Sequence, residues 1–542
     1  MSSSEIAAED TPDGGGAGQS TNRYDAIVVG GGHNGMVAAI LLARAGRKVV
    51  LLEADSALGG AARPHALADS GIDSALPQTL MLLHPDVIKV LDLEAHGLSY
   101  ATAHMPTVAL DPERGPLVLR GAFGATIDGD LSDRDRTAWT RLRPKLMRYA
   151  SVLGGFLTDL PPRLGPTPLS EKSTLGKLGF AIRRLGRDDM REFLRMLLIN
   201  VADVLEDDLL DDRLKGAVAL DAVIGTNLGP RSPTSILPLY YRLAGEIAGA
   251  QGAIAQAKGG MAAVTATFAR AAEHHGVEIR TGAEVDHIQV DTDRVTGVAL
   301  AGGEIVQAPI VVSAINPKTT LIDLVGTRYL ETDLVRRLGN LRMQGTAAKL
   351  TLALRDRPTF TGVSDADHAG RLLVAPSINA VETAFNAVKY GRFSDAPVME
   401  ITLPTVADPD LTPGGQHILS AIVQYAPHNL AGGWDKGKAA FEAVVLDTLE
   451  RHAPGIGMLI TAQELLTPAD IETRYRMPGG HWHHGELAVD QMFMLRPTHQ
   501  TARYRTQIQG LWLASAGSHP GGGITGVPGL NAARAIIESG GQ

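Results

Sequence analysis

An α/β fold is predicted by three stretches of the chain. A strand–glycine–helix–strand run occupies residues 24–55, a helix followed by several short apolar strands fills 257–317, and a second glycine-rich passage from strand to helix closes the chain at 510–540. Strands that alternate with helices belong to a parallel sheet wrapped by helices. With 542 residues the chain exceeds one ordinary core and predicts about two to four domains.

In chain order, residues 1–22 are polar, small and acidic, which predicts a disordered tail. They lack the basic start and apolar run of a secretory signal and the arginine-rich pattern of a transit peptide. The run YDAIVVGGGHNGMVAAILLARAGRKVVLLEAD (24–55) follows. DAIVV reads as a strand, Gly30, Gly32 and Gly35 form GxGxxG, MVAAILLAR reads as a helix closed by Gly46, and KVVLLE is a second strand ending at Glu53. Gly30 permits the tight turn, Gly32 lets backbone N–H groups approach a pyrophosphate, and Gly35 lets the helix lie close to the sheet. The diphosphate would rest on unpaired N–H groups at the helix start. Glu53, 23 residues after Gly30, is spaced to accept from ribose hydroxyls, and its charge disfavours a 2′-phosphate there. Together these features predict dinucleotide binding. His33 and Asn34, at the helix start, are assigned to that site by capping or packing rather than catalysis. The uncharged stretch 26–43 is 18 residues long, near the lower bound for a membrane span, but its glycines fall where a strand must turn into a helix. A buried βα unit is expected.

ALGGAARP (57–64) offers Gly60 and Ala61 for a second close backbone approach, and Arg63 for a phosphate or the ring side of a larger cofactor. An ordinary loop with a salt-bridged arginine is the alternative. Prolines at 161–168 separate a helical region, and 173–225 predicts two or three amphipathic helices. Arg183, Arg184, Arg187 and Arg191 there fit a wetted face, with anionic lipid as the second reading. GTNLGPRSPTSILPLYYRL (225–243) is broken by prolines and offers Tyr240 and Tyr241 as pocket lining. Within 257–317, Val285 opens a strand placed to pass the adenine end of a dinucleotide. AAKLTLALRD (347–356) and HILSAIVQYAP (417–427) predict strands of a second domain. LWLAS (511–515) is a third strand for the nucleotide sheet, followed by Gly517, the glycines at 521–523, Gly526, Pro528 and a small-residue helix. Such a glycine-rich helix entry seats partial negative charge.

Net charge is −9, which argues against a nucleic-acid partner. Cysteine is absent, which excludes disulfides, thiolate zinc, cysteine-ligated iron–sulfur clusters and CxxC redox pairs. Any redox chemistry must come from a cofactor.

The segments VVGGGHNGMVAA, LLEADSALGGAA, KGGMAAV, VVSAINP, GGHWHHGELAVDQ and SAGSHPGGGITGVPG carry a resemblance. In combination, and across almost all of the chain after residue 22, the sequence resembles the flavin-dependent amine oxidase and phytoene desaturase superfamily, in its phytoene dehydrogenase-related branch. The resemblance implies a Rossmann-like FAD-binding domain assembled from discontinuous segments (23–98, 248–330 and 505–542), with an α+β substrate domain (99–247 and 331–504). It implies that FAD is held by Gly30, Gly32, Gly35, Glu53, Gly60, Arg63, Val285, Gly517 and the turn of Gly523, Ile524 and Thr525, with His33, Asn34 and Ala61 beside them. It also implies hydride transfer from a hydrophobic small-molecule substrate to flavin N5, with oxygen or a quinone as electron acceptor. Ser518, followed by His519 and Pro520, stands where many amine oxidases carry an acid, which weakens amine oxidation. Two alternatives stay open: a flavin-dependent isomerase or saturase, and a regulatory flavoprotein without catalysis. The expected location is the cytoplasm, or the mitochondrial matrix in a eukaryote, with peripheral membrane contact if the substrate is lipid-like.

The histidines of GGHWHHGELAVD (479–490) admit three readings. On a strand, His481 and His483 would share a face while His484 points away. That is too few ligands for a metal without a third group such as Glu486, and HExxH spacing is absent, so no metal is assigned. A packed loop is the second reading. The third, which the resemblance favours, is a wall beside the flavin and substrate, with Trp482 lining the pocket and His483, then His481, handling protons.

Overall fold

A computed structural model describes residues 23–67, 70–163 and 172–541. The tail at 1–22 and residues 164–168 of the proline-rich turn lie outside the described residues. Five short segments pair into one parallel sheet: β1 (Ala26–Val29), β2 (Val49–Leu52), β3 (Glu278–Arg280), β4 (Val311–Ser313) and β5 (Leu511–Leu513). Their order is β3-β2-β1-β4-β5, so strands from three distant stretches of chain lie side by side. Every residue of β1 and β2 is buried, which explains why these strands read as unbroken apolar runs: the sheet is covered on both faces. Helices α1 (His33–Arg44), α2 (Gly260–His274) and α3 (Val527–Glu538) cover one face, packing Met36, Phe268 and Ile536 against Val28, Leu51 and Trp512. A three-stranded antiparallel sheet (Val285–Asp291, Arg294–Leu300, Ile305–Gln307) covers the other, over Ile27, Val50 and Leu513. Helices α1 and α3 meet backbone to backbone, since a Cβ on Gly529 would lie 2.2 Å from the carbonyl oxygen of Asn34.

The second layer is an eight-stranded mixed sheet. Its central strands, Ala347–Leu354, His417–Gln424, Val398–Thr402 and Arg371–Val374, are antiparallel neighbours in that order. Alternation sorts their side chains. Leu350, Leu352, Ile401 and Leu419 pack under the helix Trp434–His452. Lys349, Glu400, Ser420 and Ile422 alternate with them and so belong to the opposite face, which Glu400 and Ile422 carry to the wall of the cavity described below. Residues 173–225 build four helices, not two or three: Lys172–Arg184, Arg187–Met196, Val201–Asp208 and Asp212–Val223. Gly186 at φ +88° and the side-chain caps of Asn200 and Asp211 start new helices where apolar spacing alone predicted continuity. Among the described residues, no helix is long and apolar enough to cross a membrane.

Candidate active site

A cavity of about 440 Å³ is walled by both layers. The segments that leave the carboxyl ends of the parallel strands all contribute to it: Gly30 after β1, Glu53 after β2, Ala283 after β3, Ala314 after β4 and Ala516 after β5. That is the crevice where an open parallel sheet binds ligands.

Gly30 has φ +101°, and its N–H donates to the Leu52 carbonyl at 2.8 Å. A Cβ on Gly35 would stand 2.0 Å from the Gly30 oxygen, so α1 touches the turn only because that position lacks a side chain. Around the place of a Gly32 Cβ no atom lies within 4 Å; the space belongs to the cavity. Gly32 caps α1 without a side-chain hydrogen bond, which leaves the first-turn N–H groups to a phosphate. The Glu53 carboxylate accepts from the Gly31 N–H at 2.7 Å and from the Asp55 N–H at 2.9 Å, one bond per oxygen, so each oxygen keeps capacity for a ribose hydroxyl. His33 Nε2 and Asn34 Oδ1 are buried there without partners. A dinucleotide fits these groups.

His33, Asn34, Gly60, Ala61, Val285, Gly523 and Ile524 line the same cavity. Five of the residues assigned from sequence do not. Gly35 acts through packing, as above. Arg63 pairs with Asp55 at 3.0 Å and donates to the Arg474 carbonyl, the salt-bridged alternative. Gly517 packs on Pro317, whose Cδ lies 2.4 Å from where its Cβ would be. Thr525 Oγ1 accepts from the Val527 N–H at 3.1 Å, at the entry to α3. His481 lies behind the wall, with Nε2 3.6 Å from Glu486 Oε2. Tyr241 lines the cavity, whereas Tyr240 is buried in the core, its hydroxyl on Met196.

The histidine stretch is a run of turns rather than a strand, because Gly479, Gly480 and His484 all take positive φ. The strand face that His481 and His483 would share in the metal reading therefore does not form. Trp482, His483 and His484 reach the cavity. The Trp482 ring lies where a Cβ on Gly225 would be, 2.4 Å away, so that glycine seats it. His483 Nε2 accepts the Trp482 N–H at 3.1 Å, which occupies its lone pair. Burial, with His481 and Arg496 nearby, holds its pKa well below the usual value. A histidine so engaged is a wall, and a poor base. Arg496 fixes the stretch from behind: fully buried, it donates to the carbonyls of His483, Gly485, Glu486, Gln491 and Ala516. Among the described residues no group of three or more His, Asp or Glu is placed to hold a metal ion.

Burial also lowers His484 to about 3 and His519 to about 4. Both are neutral when folded and take a proton near pH 6.5 when unfolded. Their contribution is complete above pH 6.5 and is lost as pH falls toward the folded values. Between pH 6.5 and 5 these two histidines are expected to remove roughly 3 kcal/mol of stability. Chemical unfolding at a series of pH values measures this; a flat profile from pH 6.5 to 5 contradicts it.

Sequence reasoning missed the charged groups of the second layer. Asp221, Arg242 and Glu400 line the cavity. Lys349 is fully buried behind them with its ammonium on Ser420 Oγ, and burial pulls it down to about 7, an effect that Glu400 opposes. The signal was a single charge inside an apolar strand, as in AAKLTLAL and VMEIT.

The model of the family described as flavin containing amine oxidoreductase matches residues 35–537. The chain belongs to that family. Its members are flavin oxidoreductases. The chain is 32% identical to the rat pyridine nucleotide-disulfide oxidoreductase domain-containing protein 2, over 95% of this chain and 93% of that one. It is 28% identical to a neurosporene-forming phytoene desaturase of Cereibacter sphaeroides over 59% of each. In fold it is similar to cyclohexylamine oxidase from Brevibacterium oxydans, with a TM-score of 0.58 and 16% identity, covering 96% of this chain and all (100%) of that one.

Proposed function

We propose that this family member is an FAD-dependent oxidoreductase of the dehydrogenase or desaturase kind, acting on an organic substrate with an apolar body. One observation carries the reading: a single cavity runs from the dinucleotide turn at Gly30 and Gly32 to an apolar wall of Ile224, Pro238, Ile422 and Leu487. When bound, FAD supplies a two-electron acceptor at ring N5. The chain's own groups bind and orient. Glu53 holds ribose hydroxyls, the first turn of α1 holds the diphosphate, and Gly523 and Ile524 bring backbone to the cofactor. Trp482, Tyr241 and the neutral His483 shape the wall and keep water out, which fixes distance and shields the reaction. The likeness to a phytoene desaturase supports carbon–carbon desaturation. Dithiol chemistry, which the name of the rat relative suggests, is excluded because the chain has no cysteine. Oxygen or a quinone completes the proposed cycle.

The purified protein is expected to be yellow, to release FAD by mass spectrometry, and to bleach when mixed anaerobically with its substrate. Folded, colourless protein that refuses added FAD would defeat the proposal. Product isomerised by the reduced protein, without net reoxidation of the flavin, would favour the isomerase instead.

A further inference from the structure

The wall that the second layer gives the cavity is charged. Asp221 and Arg242, on the helices Asp212–Val223 and Ile236–Leu243, reach it beside Glu400 of the strand Val398–Thr402. Behind them Arg371 is 0% exposed and ties both carboxylates: Nε donates to Glu400 Oε2 at 2.5 Å and Nη2 donates to Asp221 Oδ1. Arg242 is less well served. Its Nη1 lies 2.8 Å from Asp221 Oδ2 without the alignment of a hydrogen bond, and its Nε has no partner. Yet its side chain is only 9% exposed. A guanidinium this far from water with N–H groups unanswered is costly unless a ligand answers them.

The charges show which ligand. Asp221 and Glu400 balance Arg242 and Arg371, and Lys349 adds a cation whenever it is protonated. The wall is therefore neutral or positive, and the unfilled capacity on Arg242 is for an acceptor. A cationic head would find both Asp221 oxygens already beside guanidinium groups. Burial lowers Arg242 to about 10, so it stays charged at neutral pH. A void of about 10 Å³ on the far side of the Asp221–Arg242 pair admits no more than a water, so a ligand of any size comes from the cavity.

We infer that the substrate carries a single carboxylate, received by Arg242, with its apolar body lying against Ile224, Pro238 and Ile422. One charge fits better than two, because a phosphate dianion would leave excess negative charge buried beside Asp221 and Glu400. Nη1 lies against Asp221 and Nε is buried, which leaves Nη2 as the donor for the carboxylate. This inference rests on the oxidoreductase reading and names the class of molecule its cavity takes.

The test titrates the FAD-loaded protein with octanoate, octan-1-ol and octylamine, which share one chain and differ in head group. Binding is read by calorimetry and by the visible flavin spectrum. Octanoate is expected to bind at least about tenfold more tightly than either of the others, and R242M to lose at least about tenfold for octanoate with its FAD content unchanged. R242K, which keeps the charge but places its donor differently, should fall between, and the head-group comparison on the unaltered protein stands even if R242M does not fold. The inference is overturned if octylamine or octanol binds as well as octanoate, if octanoate does not bind at millimolar concentration, or if R242M binds it undiminished. Protein that holds no FAD overturns the oxidoreductase reading instead, so the two failures are distinguishable.

Discussion

Gly35→Ala is expected to strip the protein of its cofactor. Even a methyl group at this position would stand 2.0 Å from the Gly30 oxygen and 3.1 Å from the Ala314 side chain, and neither neighbour can retreat without moving β1 or β4. Helix α1 must tilt away, which carries the first-turn N–H groups off the diphosphate. Overpacking of this kind costs about 1–3 kcal/mol, and here it falls on the element that binds. The flavin-to-protein ratio should drop at least about tenfold, with a smaller fall in the unfolding midpoint. A fully coloured Gly35→Ala protein would show that α1 does not bear on the cofactor.

The second large effect is expected at Arg496. Methionine fills similar volume but donates nothing, so R496M leaves the carbonyls of His483, Gly485, Glu486, Gln491 and Ala516 without their donor. Each orphaned buried acceptor costs about 1–3 kcal/mol, and some will find water as the loop opens, so a loss of about 4 kcal/mol or more is expected. R496K keeps three donors and should recover part of it. Denaturant unfolding of the three proteins measures the series. If R496M is within about 1 kcal/mol of the parent, the histidine stretch is not held by this residue.

Features governed by local backbone geometry were legible in the sequence. Gly30, Gly32 and Gly35 have their meaning within one turn, and Glu53 follows from strand length, so no distant partner had to be known. Arg63 and Thr525 do not line the cavity, for the opposite reason: Asp55 and the start of α3 compete for them, and a spacing pattern does not weigh competitors. The histidine stretch carried its own signal for turns, in the GG before it and the glycine after it. The charged wall was invisible because its members meet only in the tertiary fold. Arg371 and Asp221 are separated by 150 residues, and nothing in either segment points to the other. A charge inside an apolar strand announces a buried partner without naming it.

The placement of β5 and α3 bears on how the molecule is made. The first βαβ unit leaves the ribosome early, yet β4 is edged by β5 and α1 is covered by α3, both encoded within the last 32 residues from Leu511 onward. Until residues 511–538 have been made, the nascent chain therefore exposes an open strand edge and an apolar helix face, the surfaces on which chaperones act and aggregates start. Truncation before Leu511 removes both β5 and α3 and is therefore expected to abolish cofactor capture.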